Sequence, residues 1–208
     1  MSAAIEGGGK KQDGDGGNAT KPKSNAPESN NNKGKDGEAH AAGGDAPIKP
    51  PEFETITLPD GRKVKRLKPN SDYQSNGYNY KTDSDGRIIE VNGTLRQEKG
   101  GRSNHHRRTV GKNDGRLDTD HGGHLIGDQF GGSGGKDNLV PMDKDVNNYH
   151  KGEWGQMEKN WADELKNGKE VDVKIEPRYE GNSGRPSHFD ITETITPPGI
   201  PKNITIFN

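Results

Sequence analysis

Apolar and polar residues alternate in two blocks along the chain. The segments 52–58 (EFETITL) and 62–68 (RKVKRLK) both alternate, and the turn-forming residues PDG join them. The segment 78–95 holds a second pair, with a turn at 83–86 before the alternating residues 87–95. Alternation with a period of two is typical of strands with one buried face, and Gly, Asp and Pro favour the turns between them. The pattern therefore predicts two antiparallel hairpins.

One helix and two further strands are predicted in the second half of the chain. In the segment 152–168 the apolar residues recur at helical spacing, and Gly168 supplies a C-terminal stop. The segments 169–180 and 187–196 alternate again and predict strands. The apolar face of the predicted helix consists of Trp154, Met157, Trp161 and Leu165.

The region between the hairpins and the helix shows little periodicity. Residues 99–120 are polar and basic, and they predict a long loop, whereas 137–142 (DNLVPM) is a short apolar stretch between turn residues. A long loop inside a compact domain is usually functional or disordered. Together with the strands and the helix, these segments predict an α+β domain over residues 53–208, with its strand and helix patterns ending at 196.

Residues 1–50 lack any helical or strand period. They consist mainly of Gly, Asn, Lys, Asp, Ala and Ser, and Ile5 and Ile48 are the large aliphatic residues there. The chain as a whole is only 24% hydrophobic, with a mean hydropathy of −1.25. A segment that buries so little apolar surface cannot offset the entropy lost on ordering. Residues 1–50 are therefore predicted to be a disordered linker or tail.

The composition excludes several classes of protein. Because the chain has no cysteine, disulfides and thiolate metal sites are excluded. The formal net charge of −1 gives no overall attraction for nucleic acid, so any such binding must come from local patches. The sequence has no run of about 18 apolar residues, which excludes a transmembrane helix. Its first residues lack the apolar region of a standard signal peptide, so export would need a non-classical route.

The stretch 120–132, DHGGHLIGDQFGG, holds more polar side chains than a glycine-rich turn needs. His124 lies between a glycine pair and the apolar residues 125–126, which would anchor its backbone and leave its ring free. Further polar residues follow on the way to the predicted helix and within it. The polar side chains that turns alone do not explain are Asp120, His124, Asn138, Asn147, Asn148 and Glu158.

These side chains suit metal-assisted hydrolysis of a phosphodiester. A histidine with a pKa of about 6.5 can act as a general base near neutral pH. Asn and Glu supply oxygen ligands, which hard cations such as Mg²⁺ prefer. Because the oxygen ligands are few, such a cation would keep positions for water and for a phosphate oxygen. The predicted cofactor is therefore Mg²⁺, with Mn²⁺ as the alternative.

The chain resembles the DNA/RNA non-specific endonuclease family over residues 78–196. Three motifs carry the resemblance in the right order: GHLIGDQFGG, DNLVPM, and the helix with its Trp, Met and Glu. The similarity is to the branch found as C-terminal toxin domains of bacterial polymorphic toxins. The resemblance implies a ββα-metal nuclease core on an antiparallel sheet, and an endonuclease that cuts DNA, RNA or both without sequence specificity.

The resemblance also implies roles for individual residues. The catalytic histidine of the family matches His124, and its metal-ligand asparagine matches Asn147. The second asparagine of the family, which supports metal-bound waters or substrate, matches Asn138. The helix glutamate that holds a metal-bound water matches Glu158. Asp120 resembles the acidic residue that opens the Asp-x-Gly-Gly-His motif of the branch, and is counted with the catalytic residues.

Gly122 departs from the usual family motif, Asp-Arg-Gly-His, in which an arginine stands beside Gly-His. If that arginine contacts phosphate, another residue must take its place. The candidates on the preceding loop are Arg102, Arg107 and Arg108, and the sequence does not choose among them. His121 is predicted to lie at the mouth of the site as a further phosphate contact.

Each of these residues also has a structural interpretation. Asn138 and Asn147 taken alone are typical of turn or capping residues, and His124 of a buried, hydrogen-bonded histidine. Asn148 becomes the metal ligand if the register shifts by one. The run at 105–106, two adjacent histidines, could suggest zinc, but no Cys or spaced His pair completes a tetrahedral set. Phosphate contacts from the neighbouring basic residues are therefore favoured.

The resemblance implies an antibacterial toxin. Such a protein is delivered into other cells, cuts their nucleic acid, and is neutralised by a cognate immunity protein; no membrane partner is expected. The alternative is a non-catalytic module, on a nuclease-like scaffold, that binds nucleic acid or another protein. The missing arginine at position 122 is the reason to keep that alternative.

Overall fold

A computed structural model describes residues 49–208 of the chain. The segment predicted to be disordered, residues 1–50, lies outside this described part except for its last two positions. No helix in the described part has both the length and the apolar character needed to cross a membrane.

The described residues form ten strands and two helices. Neighbouring strands pair antiparallel, which agrees with the predicted α+β class on an antiparallel sheet. In chain order the elements are β1 (Phe53–Thr57), β2 (Lys63–Leu67), β3 (Asp72–Ser75), β4 (Tyr78–Thr82), β5 (Ile88–Thr94), α1 (Asn104–Thr109), β6 (Asp120–His124), β7 (Leu139–Asp143), α2 (Glu153–Lys166), β8 (Glu170–Tyr179), β9 (Pro186–Thr196) and β10 (Ile200–Phe207).

Six strands form the main sheet, in the order β10–β9–β8–β5–β4–β3. The hairpin predicted over 78–95 is confirmed as β4 and β5, and the strands predicted over 169–180 and 187–196 are confirmed as β8 and β9. β3 and β10 were not predicted. β3 has only four residues, and most residues of the edge strand β10 are exposed, so neither shows the burial alternation that marks a strand in sequence.

The first predicted hairpin is confirmed as β1 and β2, which form a separate two-stranded sheet. Arg66 in β2 is buried, and it ties this hairpin to the segment that follows α1. Its Nε and Nη2 donate hydrogen bonds to the two carboxylate oxygens of Asp114, at 2.9 and 2.7 Å. Two parallel hydrogen bonds from one guanidinium fix the carboxylate in orientation as well as in position.

β6, β7 and α2 form a ββα unit. β6 and β7 make a two-stranded antiparallel ribbon in which Gly122 faces Pro141 and His124 faces Leu139. The chain then passes through a turn into α2. The stretch 120–132, which begins with β6, therefore lies in the ββα core that the family resemblance implies.

α2 buries the face that the sequence predicted. Trp154 packs edge-on against Phe189 with ring centroids 4.9 Å apart, and Trp161 packs in the same way against Phe130 at 6.2 Å. Large aromatic contacts of this kind hold the helix on the sheet. The residues of this face, buried or partly buried, are Trp154, Met157, Trp161 and Leu165.

The segment 99–120, predicted as a loop, contains the six-residue helix α1. Ser103 caps its N-terminus, since the Ser103 side chain accepts a hydrogen bond from the His106 backbone N–H at 3.2 Å. None of the residues of α1 is buried. No apolar periodicity could therefore mark this helix in the sequence.

Candidate active site

A cavity of about 420 Å³ opens where α1, the end of β6 and the start of α2 meet. Among the residues that line it are five that the sequence predicted for the site, namely Arg102, Arg107, His124, Asn147 and Glu158. The remaining lining residues are Gly122, Gly127, Asp128, Gln129 and Tyr149. The other predicted site residues, which the structure places outside this lining, are Arg108, Asp120, His121 and Asn138.

His124 is the last residue of β6, and the buried residues 125–126 that follow it hold its backbone in place. Its Nε2 is buried and makes no hydrogen bond with any residue of 49–208. Burial lowers the pKa of the imidazole; a hydrogen bond with the Gly101 backbone opposes this effect, and the charges of Arg107 and Arg102 add to it. The ring is therefore neutral at neutral pH and able to accept a proton.

Glu158 enters the cavity from α2, one turn after Trp154. A Cβ atom at Gly127 would lie 2.5 Å from Glu158 Oε1, so the carboxylate occupies space that a side chain at 127 would fill. Burial raises the pKa of Glu158 to about 7. The nearby indole N–H of Trp154 and the charge of Arg102 reduce this rise. The indole N–H does not reach standard hydrogen-bond geometry with any residue of 49–208. A nearby cation would favour the charged carboxylate.

The buried Glu158 carboxyl makes the stability of the metal-free protein depend on pH. Its folded pKa of about 7 lies above its ordinary value of 4.5, so the folded state binds this proton more tightly than the unfolded state. Stability is therefore lost as pH rises between these two values. We expect Glu158→Gln to match the wild-type free energy of unfolding near pH 4 and to exceed it by up to about 3 kcal/mol at pH 8.

Urea unfolding in EDTA at both pH values measures this difference. Glu54→Gln is the matched control, because Glu54 is an exposed strand residue and its substitution removes the same charge. The control should leave the stability close to wild type at both pH values. Equal stability of wild type and Glu158→Gln at pH 8 would contradict the cost of the buried charge.

Asn147 lies in the turn between β7 and α2 and lines the cavity. Its backbone N–H donates to the Asp143 carbonyl at 2.9 Å, which holds the turn against the end of β7. The adjacent Asn148 is exposed, and its Oδ1 accepts hydrogen bonds from the backbone N–H groups of His150 and Lys151, at 2.9 and 3.1 Å. Of the two registers that the sequence left open, the structure brings Asn147 to the cavity and uses Asn148 in the turn.

The α1 backbone occupies the space in which a side chain at position 122 would lie. A Cβ atom at Gly122 would lie 2.6 Å from both the Cα and the carbonyl oxygen of Arg107, so the helix backbone excludes any side chain at 122. Arg107 itself lines the cavity, and its buried Nε makes no hydrogen bond within the described part of the chain. Arg102 lines the cavity as well, paired with Asp128 at 2.9 Å. Arg108 is exposed and lies outside the cavity.

Asn138 lies elsewhere than predicted. It is fully buried; its Oδ1 accepts hydrogen bonds from Tyr80 Oη and the Ile126 backbone N–H, both at 2.9 Å. Its Nδ2 donates to the carbonyls of Ile126 and Ser133, both at 2.8 Å. These four bonds use the full capacity of a side-chain amide. The expectation that Asn138 contacts substrate or metal-bound water is therefore corrected: it positions the backbone that follows His124.

Asp120 also lies outside the cavity. It begins β6, and at the rise of an extended strand it is about 13 Å from His124 at the other end. Its Oδ2 accepts hydrogen bonds from the Leu117 backbone N–H and from Arg185 Nε, both at 2.8 Å, and its Oδ1 accepts one from Arg185 Nη2 at 3.1 Å. The predicted catalytic role is corrected to that of a buried ion pair joining β6 to the start of β9.

The remaining histidines do not reach the cavity. His121 is exposed on β6, and because side chains alternate along a strand it faces away from His124. The predicted phosphate contact from His121 is therefore corrected. The histidines at 105–106 lie on α1, and the described residues hold no group of three or more His, Cys, Asp or Glu side chains that could bind a metal ion. This part of the chain offers no tetrahedral zinc set.

Buried polar atoms without a partner are concentrated at the cavity. Within residues 49–208 five such side-chain atoms occur, and three of them are Nε of Arg107, Nε2 of His124 and Oδ1 of Asp128, all in the cavity lining. Buried polar groups in proteins are nearly always hydrogen-bonded. This concentration therefore indicates a site that a polar ligand completes.

Three lining residues, Asp128, Gln129 and Tyr149, were not predicted from the sequence. Asp128 and Gln129 belong to the stretch 120–132, so their place in that motif was an available signal. The ion pair that holds Asp128 joins residues 26 positions apart and could not be seen in the sequence. Tyr149 is close in sequence to Asn147 but had no other signal.

Comparisons with known proteins identify the family of this chain. Residues 69–196 match the family model of the DNA/RNA non-specific endonuclease. The chain is 46% identical over 134 residues to the type VII secretion system protein EssD of Staphylococcus aureus, in the strains USA300, NCTC 8325 / PS 47 and Newman. That match covers 62% of this chain and 22% of EssD, so the chain spans about a fifth of the length of these relatives.

A solved structure, that of the Sda1 nuclease with bound zinc ion, has a similar fold. The similarity covers 76% of this chain and 84% of that chain, with a TM-score of 0.50 and 15% sequence identity. At this level of identity the likeness concerns the fold alone. The family match shows more than a shared fold, because it spans more than half of the chain and includes every residue that lines the cavity. The chain therefore belongs to the DNA/RNA non-specific endonuclease family.

Proposed function

We propose that this chain is a metal-dependent, sequence-non-specific endonuclease that hydrolyses phosphodiester bonds of DNA, RNA or both. One observation carries the proposal: a single cavity joins a neutral histidine, oxygen ligands and two arginines around buried polar atoms that have no partner in the described part of the chain. Family membership supports this class of reaction.

Asn147 and Glu158 fit a hard cation. Both line the cavity and supply oxygen ligands, and the buried Glu158 carboxyl would be favoured in its charged form by a cation. Because two such residues form an incomplete cage, the cation would keep much of its water, as Mg²⁺ does in proteins. We therefore favour Mg²⁺, with Mn²⁺ as the alternative. Bound here, the cation would stabilise negative charge that develops on phosphate oxygens.

His124 acts as the general base in this proposal. Its neutral imidazole accepts a proton from the attacking water while the water oxygen bonds to phosphorus and the bond to the leaving oxygen breaks. Arg107 and Arg102 hold the phosphate by charge and hydrogen bonding.

The missing arginine was the reason to consider a non-catalytic module. α1 excludes a side chain at 122 and in the same place brings Arg107 to the cavity. This arrangement supports Arg107 as the substitute for the arginine of the usual family motif. That reason against catalysis is removed, and the remaining residues favour an enzyme over a binding module.

We further propose that residues 53–208 form the toxic domain of a secreted antibacterial protein, with a cognate immunity protein as its inhibitor. The relatives in Staphylococcus aureus are named as type VII secretion system proteins, and this chain belongs to a family of nucleases. Delivery by such a system would bring the domain into target cells. Nucleic acid of the target cell would be the substrate.

Cleavage of plasmid DNA and of a matched RNA tests the proposed reaction. The chain is expected to cut in Mg²⁺ or Mn²⁺, to stop in EDTA, and to recover when Mg²⁺ is restored. Asn147→Ala should raise the Mg²⁺ concentration for half-maximal rate about 10- to 100-fold. Asn148→Ala, the neighbouring control, should leave it unchanged. Cleavage that persists in EDTA would overturn the metal dependence, and no cleavage of either nucleic acid in any of these metals would overturn the proposal.

A further inference from the structure

A second depression lies beside the catalytic cavity. It has a volume of about 150 Å³ and is enclosed by the β1–β2 hairpin, the turn after α1, and β7. Leu139 and Pro141 of β7 line it, and in the ribbon they lie directly opposite His124 and Gly122. Directly opposed residues of antiparallel strands project on the same face. At these two pairs the residues that border the two depressions therefore share one face of the β6–β7 ribbon, and Val140 between them also lines the second depression.

α1 separates the two depressions. Arg107 lines the catalytic cavity, whereas the residues 109–112 that follow line the second depression. The exposed Arg108 lies between them along the chain. Arg107 and Thr109 are two positions apart on this helix, so the two linings approach each other within about 3 Å along its axis. A strand with one phosphate at His124 can therefore reach the second depression within a few nucleotides.

Three lysines from three separate parts of the fold meet in the second depression. Lys65 comes from β2, Lys112 from the turn after α1, and Lys136 from the segment before β7. Among residues 49–208, none of the three has an ion-pair partner. The local charge is therefore strongly positive, although the whole chain carries a formal net charge of −1.

The carboxylate that lines this depression does not neutralise the lysines. It belongs to Asp114, and both of its oxygens are held by the buried Arg66 at 2.9 and 2.7 Å. Burial and the charge of Lys65 lower the pKa of Lys136, which shows that the two ammonium groups repel each other. A bound anion would relieve this repulsion and pair with each lysine.

We propose that Lys65, Lys112 and Lys136 form a phosphate-binding site for the backbone of the nucleic-acid substrate, a few nucleotides from the scissile phosphate. The inference rests on the proposed nuclease function, which supplies the substrate. Lysine ammonium groups bind phosphate as point charges, without reading bases. Such a site adds affinity for long substrates and leaves cleavage independent of sequence.

The triple variant Lys65→Gln/Lys112→Gln/Lys136→Gln, in the full 208-residue chain, tests the site. The control is a triple variant that removes the same charge from exposed lysines that lie outside both depressions and pair with carboxylates, namely Lys68→Gln/Lys81→Gln/Lys166→Gln. Thermal unfolding shows whether both variants fold like wild type. The three single variants at 65, 112 and 136 provide the same test if the triple variant does not fold.

Binding is measured first, in EDTA, with 30-nucleotide DNA and RNA probes over a series of salt concentrations. We expect the site variant to raise Kd about 10-fold or more and to reduce the slope of log Kd against log salt by about 2 to 3, while each single variant reduces it by about 0.7 to 0.9. The control variant should stay close to wild type. Equal weakening by both triple variants, or wild-type binding by the site variant, would overturn the proposal.

Cleavage in Mg²⁺ is measured next, with the 30-nucleotide substrates and with substrates of two nucleotides, which have a single internucleotide phosphate. We expect the site variant to raise KM for the long substrates by the same factor as Kd and to keep kcat. The short substrates should be cut alike by wild type and variant, because they do not reach the lysines. A wild-type chain that binds these probes without cutting them would overturn the proposed function, while the loss of binding in the site variant would still support the phosphate site.

Discussion

His124→Ala is expected to reduce kcat for cleavage of DNA and RNA by about 10²- to 10⁴-fold, which is the usual contribution of a general base. The physical reason is that His124 supplies a buried, neutral imidazole whose Nε2 has no partner in residues 49–208. Single-turnover cleavage in saturating Mg²⁺ measures the chemical step separately from binding. Substrate binding should change little, because the arginines and lysines that hold phosphate remain.

His121→Ala is the matched control for this experiment. His121 lies three residues earlier in β6, is exposed, and faces away from the cavity, so its loss should leave kcat close to wild type. Added imidazole should restore part of the activity of His124→Ala, since the substitution leaves space for a small base. Wild-type cleavage by His124→Ala would rule out the assignment of the base.

Asp120→Ala is expected to lower the free energy of unfolding by about 3 to 5 kcal/mol, because it leaves the partly buried Arg185 guanidinium without its carboxylate. The backbone N–H of Leu117 loses its acceptor as well. Chemical denaturation at neutral pH measures the loss. The kcat of the folded fraction should remain near wild type, since Asp120 lies about 13 Å along β6 from His124.

Asp118→Ala provides the control for the loss of a nearby exposed carboxylate, and its effect on stability should be small. Combining Asp120→Ala with Arg185→Met removes the unpaired charge, so the double variant should recover part of the lost stability. A stable Asp120→Ala protein with greatly reduced kcat would instead support the catalytic role that the motif suggested.

The fold could be predicted wherever burial alternates along an element. β4, β8 and most of β9 in the main sheet follow this rule, the buried face of α2 follows the corresponding helical period, and the sequence pattern located each of them. The edge strand β10 is mostly exposed, and α1 buries none of its side chains. Elements of this kind are stabilised by backbone pairing, by caps and by neighbours distant in the chain. The spacing of apolar residues in the sequence does not report these interactions.

The order of the motifs along the chain was enough to predict which residues contribute to the site. His124, Asn147 and Glu158 meet in one cavity, as the ordered motifs implied. Motif order did not show which way a side chain faces. Strand alternation would have separated His121 from His124, because residues three apart on a strand lie on opposite faces. The same rule does not separate Asp120 from His124, because residues four apart lie on the same face. Asp120 lies outside the cavity because it is at the other end of β6.

Hydrogen-bond partners distant in sequence explain the other corrections. The amide of Asn138 is used partly by Tyr80, 58 positions away, and Asp120 is held by Arg185, 65 positions away. A polar residue in such a motif is equally suited to building a site or to holding its backbone. The tertiary partners decide between these uses, and a single sequence does not reveal them.

Because α1 contacts Gly122, an arginine at 122 and the arginine that α1 brings to the cavity exclude each other as sources of positive charge for the phosphate. A side chain at 122 would meet the Arg107 backbone at 2.6 Å, so a chain with arginine at this position cannot also keep α1 where it lies. Transferring an arginine to position 122 would therefore require replacing the segment 102–109 as well. Across relatives, position 122 and the segment 102–109 should therefore vary together. A relative with glycine at 122 should keep a helix like α1 beside it, and a relative with a side chain at 122 should have a different segment there.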